Sequence, residues 1–181
     1  MTRRRYIAAT FVAGTSALIV ACIDPAPRIA WNATPSAPVG LYRVSPGGTG
    51  AIGDLVLSMP EPALGQWLAR RHYVPLGVPL IKPVAATSGQ KVCRAGAIIS
   101  IDGRPVARAH LRDRVGRPLP QWRGCRTIGA GEVLLLNPRV DDSLDGRYFG
   151  PTPAPRVIGT VTPLLTRAHP GASLAWQGWR P

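Results

Sequence analysis

Residues 78–87 read VPLIKPVAAT, an apolar run with a single lysine, Lys82, at its middle. Pro79 and Pro83 bar a helix. A short run of Leu, Ile, Val and Ala is what a buried strand needs. A glycine-containing turn, Ser88-Gly89-Gln90, follows directly. The run holds no acid, and a lone ammonium is costly to bury as a charge. Burial instead lowers a lysine pKa, and the neutral amine is a base. The competing reading is a lysine at a strand end with its head in water.

Working outward, VGLYRVS (39–45) and DLVLSM (54–59) read as strands, the first stopped by Pro46-Gly47-Gly48. EPALGQWLARRH (61–72) has Pro at a first-turn position and Leu64, Trp67, Leu68 and Arg71 at helical spacing, which predicts a helix. AIISIDGRPVAR (97–108) carries Asp102-Gly103 between two alternating runs, the sign of a tight hairpin. GEVLLLN (131–137) and RVIGTVTPL (156–164) complete the strands, and residues 109–128 read as a long surface excursion. Short strands, one soluble helix, 20 Pro and 20 Gly predict a mainly β fold without internal repeats.

The N-terminus differs in kind. Arg3, Arg4 and Arg5 precede eighteen uncharged residues from Tyr6 to Ile23, roughly 27 Å as helix and just enough to cross a bilayer core. The positive-inside rule then keeps the N-terminus in the cytoplasm and exports the rest. This gives residues 1–27 as basic tip, anchor and Pro-rich spacer (Asp24-Pro25-Ala26-Pro27), and 28–181 as the exported domain. Two other readings stay open: a cleaved signal peptide, and lipidation at Cys22, since IVAC loosely resembles a lipoprotein-processing box.

The net charge is +13, which could favour nucleic acid or anionic lipid. The arginines are scattered and no aromatic-interleaved motif appears, so a nucleic-acid partner is disfavoured. Export disfavours it further. In an oxidising compartment Cys93 and Cys125, 32 positions apart, read as a disulfide. No His-rich or CxxC pattern supplies further ligands, so no metal is expected.

A nucleophile for Lys82 is sought among the hydroxyls. WNATPSAPVGLYRV places Ser36 between Pro35 and Ala37-Pro38, followed by Gly40, which permits close approach of another chain. The bland alternative is a turn serine in a Pro-rich linker. His72, His110 and His169 stand in no distinctive motif. DDSLDGRYFGP (141–151) puts Ser143, Asp145 and Arg147 at alternating positions, which in an extended strand would share one face.

SAPVGLY, YVPLGVPLIKPVAATSGQKVC, SLDGRYFGP and VIGTVTPL resemble, in order, the boxes of type I signal peptidases (serine peptidase S26), most closely the TraF-type conjugative-transfer branch. The likeness covers about residues 30 to 165. It implies an antiparallel β catalytic domain carrying one transmembrane helix. Ser36 would be the nucleophile and Lys82 its general base, with Asp145 required for activity. Thr34 would assist the oxyanion, and Ser143 and Arg147 would support the lysine strand. No cofactor is implied. Departures are Ala37-Pro38 where Met-x-Pro is usual, Ser88-Gly89-Gln90 for Pro-Gly-Asp, and Asp142 in a box that usually begins Gly-Asp.

The resemblance implies a serine endopeptidase of the inner membrane with a periplasmic catalytic domain. Its partners would be membrane-inserted preproteins or prepilins, with pilin cyclisation as a further outcome. The alternative is a non-catalytic envelope protein of the conjugation machinery, lipidated at Cys22.

Overall fold

A computed structural model describes residues 3–22, 26–169 and 171–178. Helix α1 (Arg3–Cys22) opens the chain. Among the described residues, no helix is long and apolar enough to cross a membrane, so the transmembrane helix expected over Tyr6–Ile23 gains no support. Three of the twenty residues of α1 are arginines. The hydroxyls of Thr10 and Thr15 fold back on the carbonyls of Tyr6 and Phe11. Ile23, Asp24 and Pro25, the end of the expected anchor and half of its spacer, lie outside the described residues.

The next elements are β1 (Ile29–Asn32), which the sequence reading did not mark, and β2 (Gly40–Pro46), β3 (Leu55–Ser58), α2 (Pro62–Arg70) and β4 (Leu80–Ala86), which follow the sequence pattern closely. Pro62 starts α2, where a missing N–H is harmless, and Leu68 is its buried residue. Then come β5 (Lys91–Ala95), β6 (Ile98–Ile101), β7 (Arg104–Arg108), β8 (Gly124–Thr127) and β9 (Glu132–Leu135). The chain continues through α3 (Gly146–Phe149), β10 (Thr152–Pro153), β11 (Val157–Thr166) and β12 (Ala175–Trp176). Asp102 and Gly103 turn the β6–β7 hairpin with φ of 49° and 80°, the left-handed backbone a two-residue turn requires.

Among the described residues these strands form two antiparallel sheets. The larger runs β1-β2-β11-β3-β4-β9-β10, with β12 added to β11; the smaller runs β7-β6-β5-β8. Long β11 pairs with both β2 and β3 and so binds the larger sheet together. Gly40 lets this happen: a Cβ there would lie 2.0 Å from the Leu165 carbonyl oxygen. One apolar cluster (Tyr42, Val44, Leu57, Ile81, Val161) covers one face of the larger sheet. Val56, Val84, Val133, Leu135 and Val157 form a second. A third joins the two sheets through Val92, Ile99, Ile128, Leu134 and Leu136.

One expectation is refined and one corrected. Residues 109–128 are not structureless, though they run mostly over the surface as expected: Ala109, Leu119 and Ile128 are buried and β8 forms within the segment. The alternation there is too weak to show as a strand, and β8 is fixed by its partner: Cys125 stands opposite Cys93 on β5, and a disulfide joins them. Nor do Ser143, Asp145 and Arg147 lie on an extended strand. The chain turns at 141–142 and enters α3 at Gly146, with Asp145 as its N-cap.

Candidate active site

Lys82 sits on β4 directly opposite Val56 of β3, and cross-strand partners share a face. Val56, Val84 and Leu135 make the surroundings apolar, and Lys82 is 4 % exposed. Burial pulls its amine from the ordinary 10.5 down to about 8; Asp145 and Asp142 oppose this and Arg147 reinforces it. Its hydrogen-bond partner is a neutral hydroxyl, as Nζ donates to Ser143 Oγ at 2.8 Å.

The turn that carries Ser143 is held by a buried cluster: the Ser143 N–H donates to the Val140 carbonyl, which also accepts from Arg147. Arg147, 1 % exposed, forms a buried ion pair with Asp145. Its Nε donates to Asp145 Oδ1 at 2.9 Å and one terminal nitrogen to Oδ2 at 3.1 Å, a two-point pairing. The remaining donors reach the carbonyls of Arg108, Asn137, Val140 and Asp141. One side chain thereby fixes the whole turn from 137 to 145. Asp145 also accepts from the backbone N–H of Arg147 and of Asn137. Arg94 of β5 donates to the Arg147 carbonyl at 2.9 Å, tying the smaller sheet to this cluster.

Ser36 lies in the loop between β1 and β2, half-buried. Ala37 anchors that loop in the apolar cluster around Tyr42. The Tyr42 hydroxyl donates to the Pro38 carbonyl at 2.6 Å, and burial pushes its pKa up to about 12, so it remains a donor. Ser36 Oγ and Thr34 Oγ1 are 3.1 Å apart. No hydrogen bond joins Ser36 to Lys82. The lysine meets Ser143, and the serine meets Thr34.

Two asparagines that sequence reasoning left unassigned hold the serine loop. Asn32, at the end of β1, donates through Nδ2 to the carbonyls of Thr34, Ala37 and Pro38 and accepts from the Thr34 N–H and hydroxyl. Asn137, just after β9, donates through Nδ2 to the Ser36 carbonyl at 2.6 Å. The sequence carries a faint sign of the second: Asn137-Pro138 is a turn-starting pair, and Asn137 Oδ1 accepts from the Arg139 N–H.

Beside Lys82 is a cavity of about 60 Å³, walled by Leu80, Leu135, Leu144, Asp145 and Phe149 among others. Among the described residues, no group of three or more His, Cys, Asp or Glu is arranged to hold a metal ion. The chemistry this arrangement offers is a buried amine whose pKa is drawn down to about 8, fixed in an apolar wall, with a constrained hydroxyl on a neighbouring loop.

Comparison with known proteins gives the family. Residues 3–165 match the family model described as signal peptidase, peptidase S26. The chain is 38 % identical over 147 residues to a probable conjugal transfer protein TraF of Sinorhizobium fredii, covering 76 % of this chain and 77 % of that protein. It is 32 % identical over 174 residues to a plasmid transfer protein TraF of Escherichia coli, covering 90 % and 97 %. Among solved structures, a signal peptidase I from Enterococcus faecalis V583 aligns with a TM-score of 0.38 and 18 % identity, covering 64 % of this chain and 98 % of that one. The chain belongs to the signal peptidase family, peptidase S26.

Proposed function

We propose that this protein is a serine endopeptidase in which Ser36 is the nucleophile and Lys82 the general base. One observation carries the reading: the buried amine of Lys82, drawn down to about 8 and bonded to a hydroxyl in place of an acid. As Ser36 Oγ attacks the scissile carbonyl, its proton passes to Lys82 Nζ. The backbone N–H of Ser36 and the hydroxyl of Thr34 receive the oxyanion. The ammonium then returns its proton to the leaving amine, and the acyl-enzyme is released by an acceptor nucleophile. Substrate binding must bring Ser36 to Lys82, a tightening common to catalytic pairs that are loose when unoccupied.

The family and the TraF relatives support a substrate class of membrane-inserted preproteins or prepilins of a conjugative transfer system. The small cavity beside Lys82 favours small side chains near the cleavage site. The acceptor is water or the pilin's own amine, the latter giving a cyclic product one water lighter. The apolar N-terminal segment anchors the chain in the inner membrane, the catalytic domain lying on the periplasmic side, where signal-like segments emerge from the bilayer.

The test is cleavage of a prepilin-like peptide with an Ala-x-Ala site by the detergent-solubilised protein, with Ser36→Ala and Lys82→Arg beside wild type. Arg keeps the charge and cannot act as a base. Both variants should fold and be inactive. Wild-type rates in either one would overturn the dyad, whereas no cleavage by wild type would favour a non-catalytic envelope protein.

A further inference from the structure

We propose that Asn137 is a positioning residue that sets Ser36 in register with the Lys82–Ser143 pair; this rests on the peptidase reading above. Asn137 has its two ends in different parts of the site. Its backbone N–H donates to Asp145 Oδ2 at 3.0 Å, and its carbonyl accepts from Arg147 at 2.6 Å. Its side chain reaches 101 positions back along the chain to the Ser36 carbonyl. The residue is 9 % exposed, and its amide oxygen is already engaged by Arg139.

Mechanically, the consequence is specific. The Ser36 carbonyl belongs to the peptide plane joining Ser36 to Ala37, so a bond to it fixes one of the two planes that aim the Ser36 side chain. Asn32 bonds the carbonyls of Thr34, Ala37 and Pro38 but makes no bond to that of Ser36. Asn32 therefore shapes the loop, whereas Asn137 ties it to the part of the molecule that carries the base. Without that tie, loop and base are placed by separate strands, and a misplacement near 1 Å is enough to lower a rate by about 10²-fold.

The substitution Asn137→Ala removes the tie to Ser36 and the local turn bond from the Arg139 N–H, and keeps the bonds to Asp145 and Arg147, which are made by backbone. Asn137→Asp keeps size and removes the donor, and serves if the alanine variant does not fold. We expect kcat to fall by about 10²-fold with KM within about threefold. In Asn137→Ala the rising limb of the pH profile should stay at the wild-type position, since no charge near the lysine changes; the carboxylate of Asn137→Asp should, if anything, move it up. Amide hydrogen exchange over residues 33–37 should quicken in either variant. A wild-type kcat, or exchange unchanged over that segment, overturns the proposal. The two arms also separate the proposals: if wild type cleaves no peptide, the peptidase reading fails, while faster exchange in the variants still supports the tie and unchanged exchange still overturns it.

Discussion

Lys82 Nζ and Ser143 Oγ are 2.8 Å apart, a bond between β4 and a turn 61 positions later. An ammonium and a neutral amine both keep an N–H for this bond, so it survives deprotonation. The amine is held in place while its lone pair stays free. A carboxylate in the same position would hold the lysine equally well and keep it charged.

The pH dependence of cleavage follows from this. The active form of Lys82 is neutral, and its pKa is drawn down to about 8. We expect kcat/KM to rise about tenfold per pH unit below 8 and to level off above it. A profile measured from pH 6 to 10 checks this, and a limb centred near 10.5 would mean that the lysine is solvated.

Stability should carry the same signature with a definite sign. Between about 8 and the ordinary 10.5, the unfolded chain binds a proton on Lys82 that the folded chain does not. Stability therefore rises with pH across that window, and below it the cost is fully present. The gap corresponds to about 3 kcal/mol. Lys82→Met removes this cost and leaves the Ser143 hydroxyl without its donor, about 1 kcal/mol the other way. We expect the variant to be more stable than wild type by about 2 kcal/mol at pH 7, with the difference shrinking toward pH 10. Denaturant melts of both proteins at pH 7 and 10 measure it; a less stable variant at pH 7 would show that the buried ammonium is paired and its desolvation offset.

Asp145 has two expected effects. Replacing it with Asn leaves the Arg147 charge buried and unpaired, which typically costs about 3–5 kcal/mol. Asp145 also holds the Lys82 pKa up and Arg147 pushes it down. In the folded Asp145→Asn protein the rising limb should therefore move below 8. Melts and a pH–rate profile at low temperature test the two effects separately.

The Cys93–Cys125 disulfide closes a loop of 32 positions, for which loop-closure entropy gives about 3–4 kcal/mol. Replacing both cysteines by serine should lower the denaturation free energy by that order. A change within error would show that the β5–β8 pairing holds without the bond.

Much of this was legible one segment at a time. The β6–β7 hairpin was readable from Asp102-Gly103, because few residue pairs tolerate the turn's left-handed backbone at both positions. α2 was readable from Pro62 and the spacing of its apolar residues, and β4 from an apolar run too rich in proline for a helix. The segment from 141 to 147 misled, because alternating Ser, Asp and Arg look the same whether they line a strand face or cap a short helix. β8 was invisible because its residues are all exposed, and pairing with β5, not burial, makes it a strand.

The sequence by itself determined the mainly β class, the oddity of an apolar lysine and the family. These depend on local backbone preference and on residue order, both of which one dimension preserves. Only the tertiary structure decided that Lys82 faces Ser143 rather than water. It alone decided that Asp145 and Arg147 pair by capping a helix, and that Asn32 and Asn137 hold the serine loop. A hydrogen bond spanning 101 positions exists because a folded sheet brings distant backbones within 3 Å, and no local pattern along the chain records that meeting.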